Sequence, residues 1–324
     1  MYMKSRMNRM GWGGLLLGLL LGLCGCTPKG KSLPTVSVTM EPQRYFAERI
    51  AGDRYQIHCV VPAGQSPESY DPTPRQMIEL SESVAYLQIG YIGFERAWMP
   101  TIREQNPDLP LYDLSQGVSL IETAEEEEVH EDTDESAAEA VHEPDHDHDP
   151  DSHHDHHHHH HGGVDPHIWT SIQGARQIAL NTRNAFQQID PAHAADYESR
   201  YQTLLQEIET TRQELDRLLI PLKGTSFIIY HPALTYLAAE YGLHQHCLEM
   251  DGKEPSPAQL KRLVDLARSE QVAVVFVQPE FDQKNAEIMA EESGCRLVRI
   301  NPLNADWSGE MLRIAKALSD GKAD

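Results

Sequence analysis

Lysine and arginine are missing from the whole stretch between Arg103 and Arg176. They are scarce elsewhere too: 27 stand against 50 aspartates and glutamates in 324 residues, for a net charge of −23. That balance argues against partners that are themselves anionic, such as nucleic acid or a negatively charged lipid surface. Cysteine is also sparse. Cys24 and Cys26 lie in the N-terminal segment, which leaves Cys59, Cys247 and Cys295, and an odd number builds no disulfide framework. The longest apolar run, Gly11 to Leu23, falls short of the roughly 20 residues that span a bilayer. No helix carries HExxH and no GxSxG occurs, so the sequence does not read as an enzyme.

What is present begins with an export signal. Lys4, Arg6 and Arg9 precede the Leu/Gly-rich run, which ends Leu23-Cys24-Gly25-Cys26-Thr27. That ending resembles a bacterial lipoprotein box with Cys26 as the acylated residue. Residues 1–26 therefore read as a lipoprotein signal peptide and 27–34 as a tether.

The acidity is local. Residues 122–155 hold sixteen Asp and Glu, and twelve histidines fall between His130 and His161, six of them consecutive. Such a composition has too little apolar surface to fold alone, so 121–163 reads as a long disordered loop. Its imidazoles attract divalent ions without a fixed scaffold.

Elsewhere strand-like and helix-like runs alternate, which predicts parallel α/β topology. Strands are expected at 36–40, 56–61, 84–89 and 111–114, with helices between them. A helix at 172–189 is followed by a long one at 192–219. In the latter, Tyr197, Tyr201, Leu204, Ile208, Leu215 and Leu218 recur at steps of three, four and, once, seven residues, all on one helical face. Alternation then resumes with strands at 226–230, 246–250, 272–277 and 295–300. The expected fold is two lobes, each a small mostly parallel sheet wrapped by helices, joined by one long rigid backbone helix. The lobes would be 35–190 and 222–324, the connection 191–221, with a cleft between. Ligands of such sheets bind beyond the carboxyl ends of strands. His231, in Tyr230-His-Pro232, and His167, in Asp165-Pro-His-Ile-Trp169, occupy such places in the two halves.

These stretches resemble the bacterial solute-binding lipoproteins (cluster A-I) that deliver zinc or manganese to ABC importers. The resemblance rests on Ile50-Ala-Gly-Asp53, Val61-Pro-Ala-Gly-Gln-Ser-Pro-Glu-Ser-Tyr-Asp-Pro-Thr-Pro-Arg-Gln-Met77 and Gly90-Tyr-Ile-Gly-Phe-Glu95. It continues through Asp165-Pro-His-Ile-Trp169, Tyr230-His-Pro-Ala233, Gly252-Lys-Glu-Pro-Ser-Pro257 and Val275-Phe-Val-Gln-Pro-Glu-Phe281. A His-rich acidic loop before Asp-Pro-His-Ile-Trp is a habit of the zinc-type members.

The resemblance implies a ligand set of three histidines plus a carboxylate or water. His167 and His231 match two of them. Glu68 stands where the family's first histidine falls, and Asn301 stands where an aspartate is common. Glu280 or Asp306 is the alternative to Asn301 as fourth ligand. The expected ion is Zn2+, alternatively Mn2+ or Fe2+, since a carboxylate in place of imidazole makes a harder site. The implied protein is a monomeric periplasmic or extracytoplasmic receptor, lipid-anchored, whose partner is an ABC-importer membrane permease. A zinc buffer or chaperone without a transporter, and a zinc hydrolase using Glu68 as base, are the rival readings.

Deleting residues 121–163 should lower the number of ions bound while leaving the highest-affinity event almost unchanged in a calorimetric titration. Loss of that event from a folded variant would place the site in the histidine run instead.

Overall fold

The computed structural model describes residues 33–123, 163–249 and 252–321. The signal segment with Cys26, most of the tether and the histidine run lie outside the described residues. No helix among those described is long and apolar enough to cross a membrane.

The first half alternates β1 (Thr35–Val38), α1 (Glu41–Ala51), β2 (Gln56–Cys59), α2 (Pro74–Ser81), β3 (Ala85–Gln88), α3 (Gly93–Gln105) and β4 (Leu111–Asp113). Helix starts follow local chemistry. Thr73 caps α2 by accepting from the Gln76 N–H, with Pro74 at the first turn, where a missing N–H costs nothing. The strands pair in the order β2-β1-β3-β4, all parallel.

Next, β5 (Glu122–Thr123) and β6 (Gly163–Val164) form a short antiparallel ladder. The segment expected to be irregular over 121–163 is thus pinched at its base. The Tyr236 hydroxyl accepts from the Ile121 N–H (3.1 Å) and donates to the Asp165 carbonyl (2.8 Å), and the Asp165 N–H reaches the Ile121 carbonyl (2.9 Å).

Helices α4 (Ile172–Ile189) and α5 (Ala194–Leu219) lead to the second half. This contains β7 (Ser226–Ile229), α6 (Thr235–Tyr241), β8 (His244–Cys247), α7 (Pro257–Ser269), β9 (Val274–Val277), α8 (Lys284–Ser293), β10 (Arg296–Arg299) and α9 (Trp307–Asp320). Its sheet, in the order β10-β9-β7-β8, is also wholly parallel.

β1 and β2 end two residues before their expected ends, and two strands start two residues away from expectation. β8 starts at His244 rather than His246, because Gly242 closes α6 at φ +66° and sends the chain straight into register with Ser226. β9 starts at Val274 rather than Val272, because the Val272 N–H still serves the end of α7 at the Ala267 carbonyl.

One buried apolar cluster passes through both halves. It runs from Val36 and Val38 through Phe46 and Ile50, along Tyr197, Leu204, Ile208, Leu215 and Leu219 of α5, to Phe227, Ile229, Phe276 and Ile314. Ile228 of β7 and Tyr230 just after it face a second cluster beneath α7 and α8, as expected for a parallel sheet covered on both faces. The halves also touch directly. Trp307 of α9 meets Tyr45 and Phe46 of α1 at ring centroid distances of 5.8 and 5.4 Å. The Trp307 indole N–H donates to the Trp169 carbonyl (2.6 Å), while the Trp169 indole N–H donates to the Pro302 carbonyl (2.9 Å). This reciprocal pair fixes the 167–169 segment against the loop after β10.

Candidate metal centre

In both sheets the order in which strands are added reverses between two central strands, β1 and β3 in the first and β7 and β9 in the second. Ligands of open parallel sheets collect beyond the carboxyl ends at such points. A small cavity there is lined by Ser66, Pro67 and Glu68 after β2, by His167 and Trp169, and by His231, Gln278 and Glu280 after β7 and β9. Its free interior is about 20 Å3, room for one water-sized sphere.

The two histidines expected at strand-end corners meet there. His167 Nε2 and His231 Nε2 stand 3.3 Å apart. Each ring is held from behind by a carboxylate: His167 Nδ1 lies 2.9 Å from Asp165 Oδ1, and His231 Nδ1 lies 2.9 Å from Glu249 Oε2. With each Nδ1–H donating to its carboxylate, both Nε2 lone pairs point into the gap. Two acceptors at that distance call for something positive between them, a proton or a metal ion.

The chain secures these rings tightly. The Gln278 side chain donates to the His231 carbonyl (2.7 Å) and accepts from the His231 N–H (3.3 Å), locking the β7 corner to β9. Phe281 stacks on the His231 ring at 5.1 Å and 18°. The His167 N–H also binds Asp165 Oδ1 (2.8 Å). Burial alone would lower the His167 pKa, but the charge and hydrogen bond of Asp165, joined by Glu68 and Glu249, raise it above the usual imidazole value. Burial opposes the charged form of Asp165 too. His167 outweighs it and holds the carboxyl below the ordinary range.

Glu68 sits against the start of α3. Its Oε2 accepts from the Gly93 N–H (2.9 Å), and the Phe94 N–H reaches the Pro67 carbonyl (2.8 Å), an arrangement that favours negative charge at a helix N-terminus. A Cβ on residue 93 would fall 2.1 Å from the Glu68 carbonyl oxygen, so only glycine permits this approach. Glu95, in the first turn of α3, accepts from the Thr39 hydroxyl after β1 and from the Ile89 and Gly90 N–H groups of the preceding loop. Burial pushes its pKa up to about 7 against these hydrogen bonds.

Of the three residues weighed as fourth ligand, Glu280 lines the cavity. Burial raises its pKa, and the neighbouring His231 charge opposes that shift. Asn301 does not line it: its side-chain oxygen accepts from the Leu303 N–H (3.1 Å). Asp306 caps α9 by accepting from the Gly309 N–H (3.2 Å). Of the other described histidines, His58 bonds Ser37, His193 bonds Asp190, His246 bonds Glu270, and His244 is exposed at the start of β8. Burial pushes the Cys59 and Cys295 thiols up, away from the thiolate form that binds metal. Among the described residues no three His, Cys, Asp or Glu side chains are already drawn around one point. The centre is two imidazoles in contact, with two carboxylates lining the same cavity.

Sequence reasoning missed Glu249 and Gln278 as supports. Gln278 lay inside a recognised stretch with no role attached, and Glu249 follows β8 with no motif to mark it. The strand-end rule that found His231 was the signal available for both.

A larger cleft of about 900 Å3 opens between α4 and α5. Its charged lining residues, Arg176 and Glu209, are paired with each other, and no histidine lines it.

Fold and site together define an α/β solute-binding protein with a site of ionic size. The profile of the family described as "Zinc-uptake complex component A periplasmic" matches residues 36–320, and the chain belongs to that family. The high-affinity zinc uptake system protein ZnuA of Bacillus subtilis (strain 168) is 27% identical over 311 residues, covering 90% of this chain and 88% of the relative. The zinc-binding lipoprotein AdcA of Streptococcus pneumoniae (strain ATCC BAA-255 / R6) is 22% identical across 90% of this chain, which spans 54% of AdcA's length. A crystal structure of a 138-173 ZnuA deletion mutant with zinc bound superimposes with a TM-score of 0.75 at 30% identity, covering 90% of this chain and 99% of that one. The family is one of receptors rather than enzymes.

Imidazole must lose its proton before it ligates, and Asp165 raises the pH at which His167 does so. Acidification should therefore weaken metal binding from above 6.5 downward. Asp165→Asn should lower the His167 pKa in an NMR titration of the metal-free protein. It should also reduce Zn2+ affinity at neutral pH by about 10–100-fold. An unchanged titration and unchanged affinity would remove Asp165 from the centre.

Proposed function

We propose that this protein is an extracytoplasmic receptor that captures Zn2+ between its two lobes and delivers it to the membrane permease of an ABC importer. Glu68, His167 and His231 are the ligands. The lobes are residues 35–190 and 222–324, joined by 191–221, and the chain works as a monomer, tethered by acylated Cys26.

One observation carries the metal assignment. Zn–N bonds of about 2.0–2.1 Å at a tetrahedral angle place two imidazole nitrogens about 3.3–3.4 Å apart. The two Nε2 atoms stand at 3.3 Å, with each opposite ring nitrogen already bonded to a carboxylate. That spacing matches one edge of a zinc tetrahedron, which supports reading the pair as ligands. Glutamate oxygen suits Zn2+ as well, and it keeps Mn2+ and Fe2+ as the alternative cargo. A free interior of about 20 Å3 leaves no space for an organic substrate beside an ion, which disfavours a hydrolase. A receptor also differs from a buffer in holding one ion on a fixed scaffold, and His167 and His231 are fixed by Asp165, Glu249, Gln278 and Phe281.

His231→Ala should weaken Zn2+ binding at least tenfold, about 1.4 kcal/mol or more, in calorimetry. Unchanged affinity would sink the assignment. Mass spectrometry of the protein made in a bacterial host should find an acylated N-terminal Cys26. A mature terminus elsewhere, without lipid, would refute the anchor.

A further inference from the structure

Two carboxylate oxygens in the cavity, Glu68 Oε1 and Glu280 Oε1, are buried and find no hydrogen-bond partner among the described residues. A buried acceptor left without a partner costs free energy, and a buried carboxylate costs more. Glu68 satisfies its other oxygen at Gly93.

Glu280 is placed by its neighbours in the chain. Gln278, two residues before it, grips both backbone polar groups of His231, and Phe281, the next residue, stacks on the His231 ring. The segment 278–281 therefore wraps His231, and Glu280 is the carboxylate that this wrap carries to the cavity. The loop after β10 brings Pro302 and Leu303 to the same cavity while Asn301 turns its side chain to the Leu303 N–H.

We propose that Glu280 is the fourth metal ligand, so that the ion is held by two imidazoles and two carboxylates. This rests on the reading of Glu68, His167 and His231 as the other three. Two glutamates and two neutral imidazoles carry charge −2, which a divalent cation cancels. The second carboxylate also makes the set harder than one dominated by histidine, widening acceptance toward Mn2+.

The test uses the mature protein stripped of metal and compares the parent, Glu280→Gln and His231→Ala. Glu280→Gln keeps the shape and removes the charge. It should lower Zn2+ affinity at least tenfold in competition with a chromophoric chelator, and lower Mn2+ affinity by a larger factor. Loading with Co2+ should give a visible spectrum whose band positions and intensity differ between the parent and Glu280→Gln, as loss of a coordinated oxygen requires. The metal-free melting temperature should not fall, since the variant removes the charge of a buried carboxylate that has one oxygen without a partner. Unchanged Zn2+ affinity and an unchanged Co2+ spectrum in Glu280→Gln, beside a large loss in His231→Ala, would overturn the fourth ligand and leave the receptor reading standing. Unchanged affinity in both variants would overturn both.

Discussion

The apolar stripe of α5 is the constraint on which the rest depends. Tyr197, Leu204, Ile208, Leu215 and Leu219 are buried along its length in a cluster shared by both sheets. The strand ends of the two halves are therefore fixed opposite one another by one core rather than by two cores and a hinge. Thr211 and Ser308 add a polar pin (2.6 Å) between α5 and the start of α9. Interiors packed in this way transmit displacement rather than absorb it. A cavity of ionic size at the junction is what such a scaffold is able to hold constant.

The chemistry of the junction follows from what stands behind each ring. A buried imidazole pair without carboxylate partners would have a choice of tautomers and no preferred orientation. Asp165 and Glu249 remove that choice and leave the two Nε2 atoms facing across the gap. Asp165 also raises the basicity of the His167 ring, which strengthens a metal bond and also strengthens competition from protons. Affinity and acid sensitivity thus have one source.

Much of this was legible in the sequence. The alternation of strand and helix gave both sheets, and the three-, four- and seven-residue spacing of Tyr197 to Leu215 gave α5 to within two residues of its observed start. His167 and His231 were found because strand ends beside proline mark ligand-bearing corners. The parallel pairing was legible but the strand order was not, because order depends on which edges the crossovers reach. Glu249 and Gln278 escaped because their contacts join residues 18 and 47 positions away. Glu280 stood level with Asp306 and behind Asn301 in the sequence reading. Only the orientation of the loop after β10 separates them, and that depends on the Trp169–Trp307 pair, whose partners lie 138 positions apart.

The ladder between Glu122–Thr123 and Gly163–Val164 has a bearing on how this chain tolerates insertion. Its base is closed by the Tyr236 hydroxyl and by the bond between Asp165 and Ile121, so the path between residues 123 and 163 begins and ends at one small, fixed footing. None of these bonds involves a residue between 123 and 163, so a change of length in that interval breaks none of them. Asp165 and His167, two and four residues beyond the footing, keep their places whatever the interval contains.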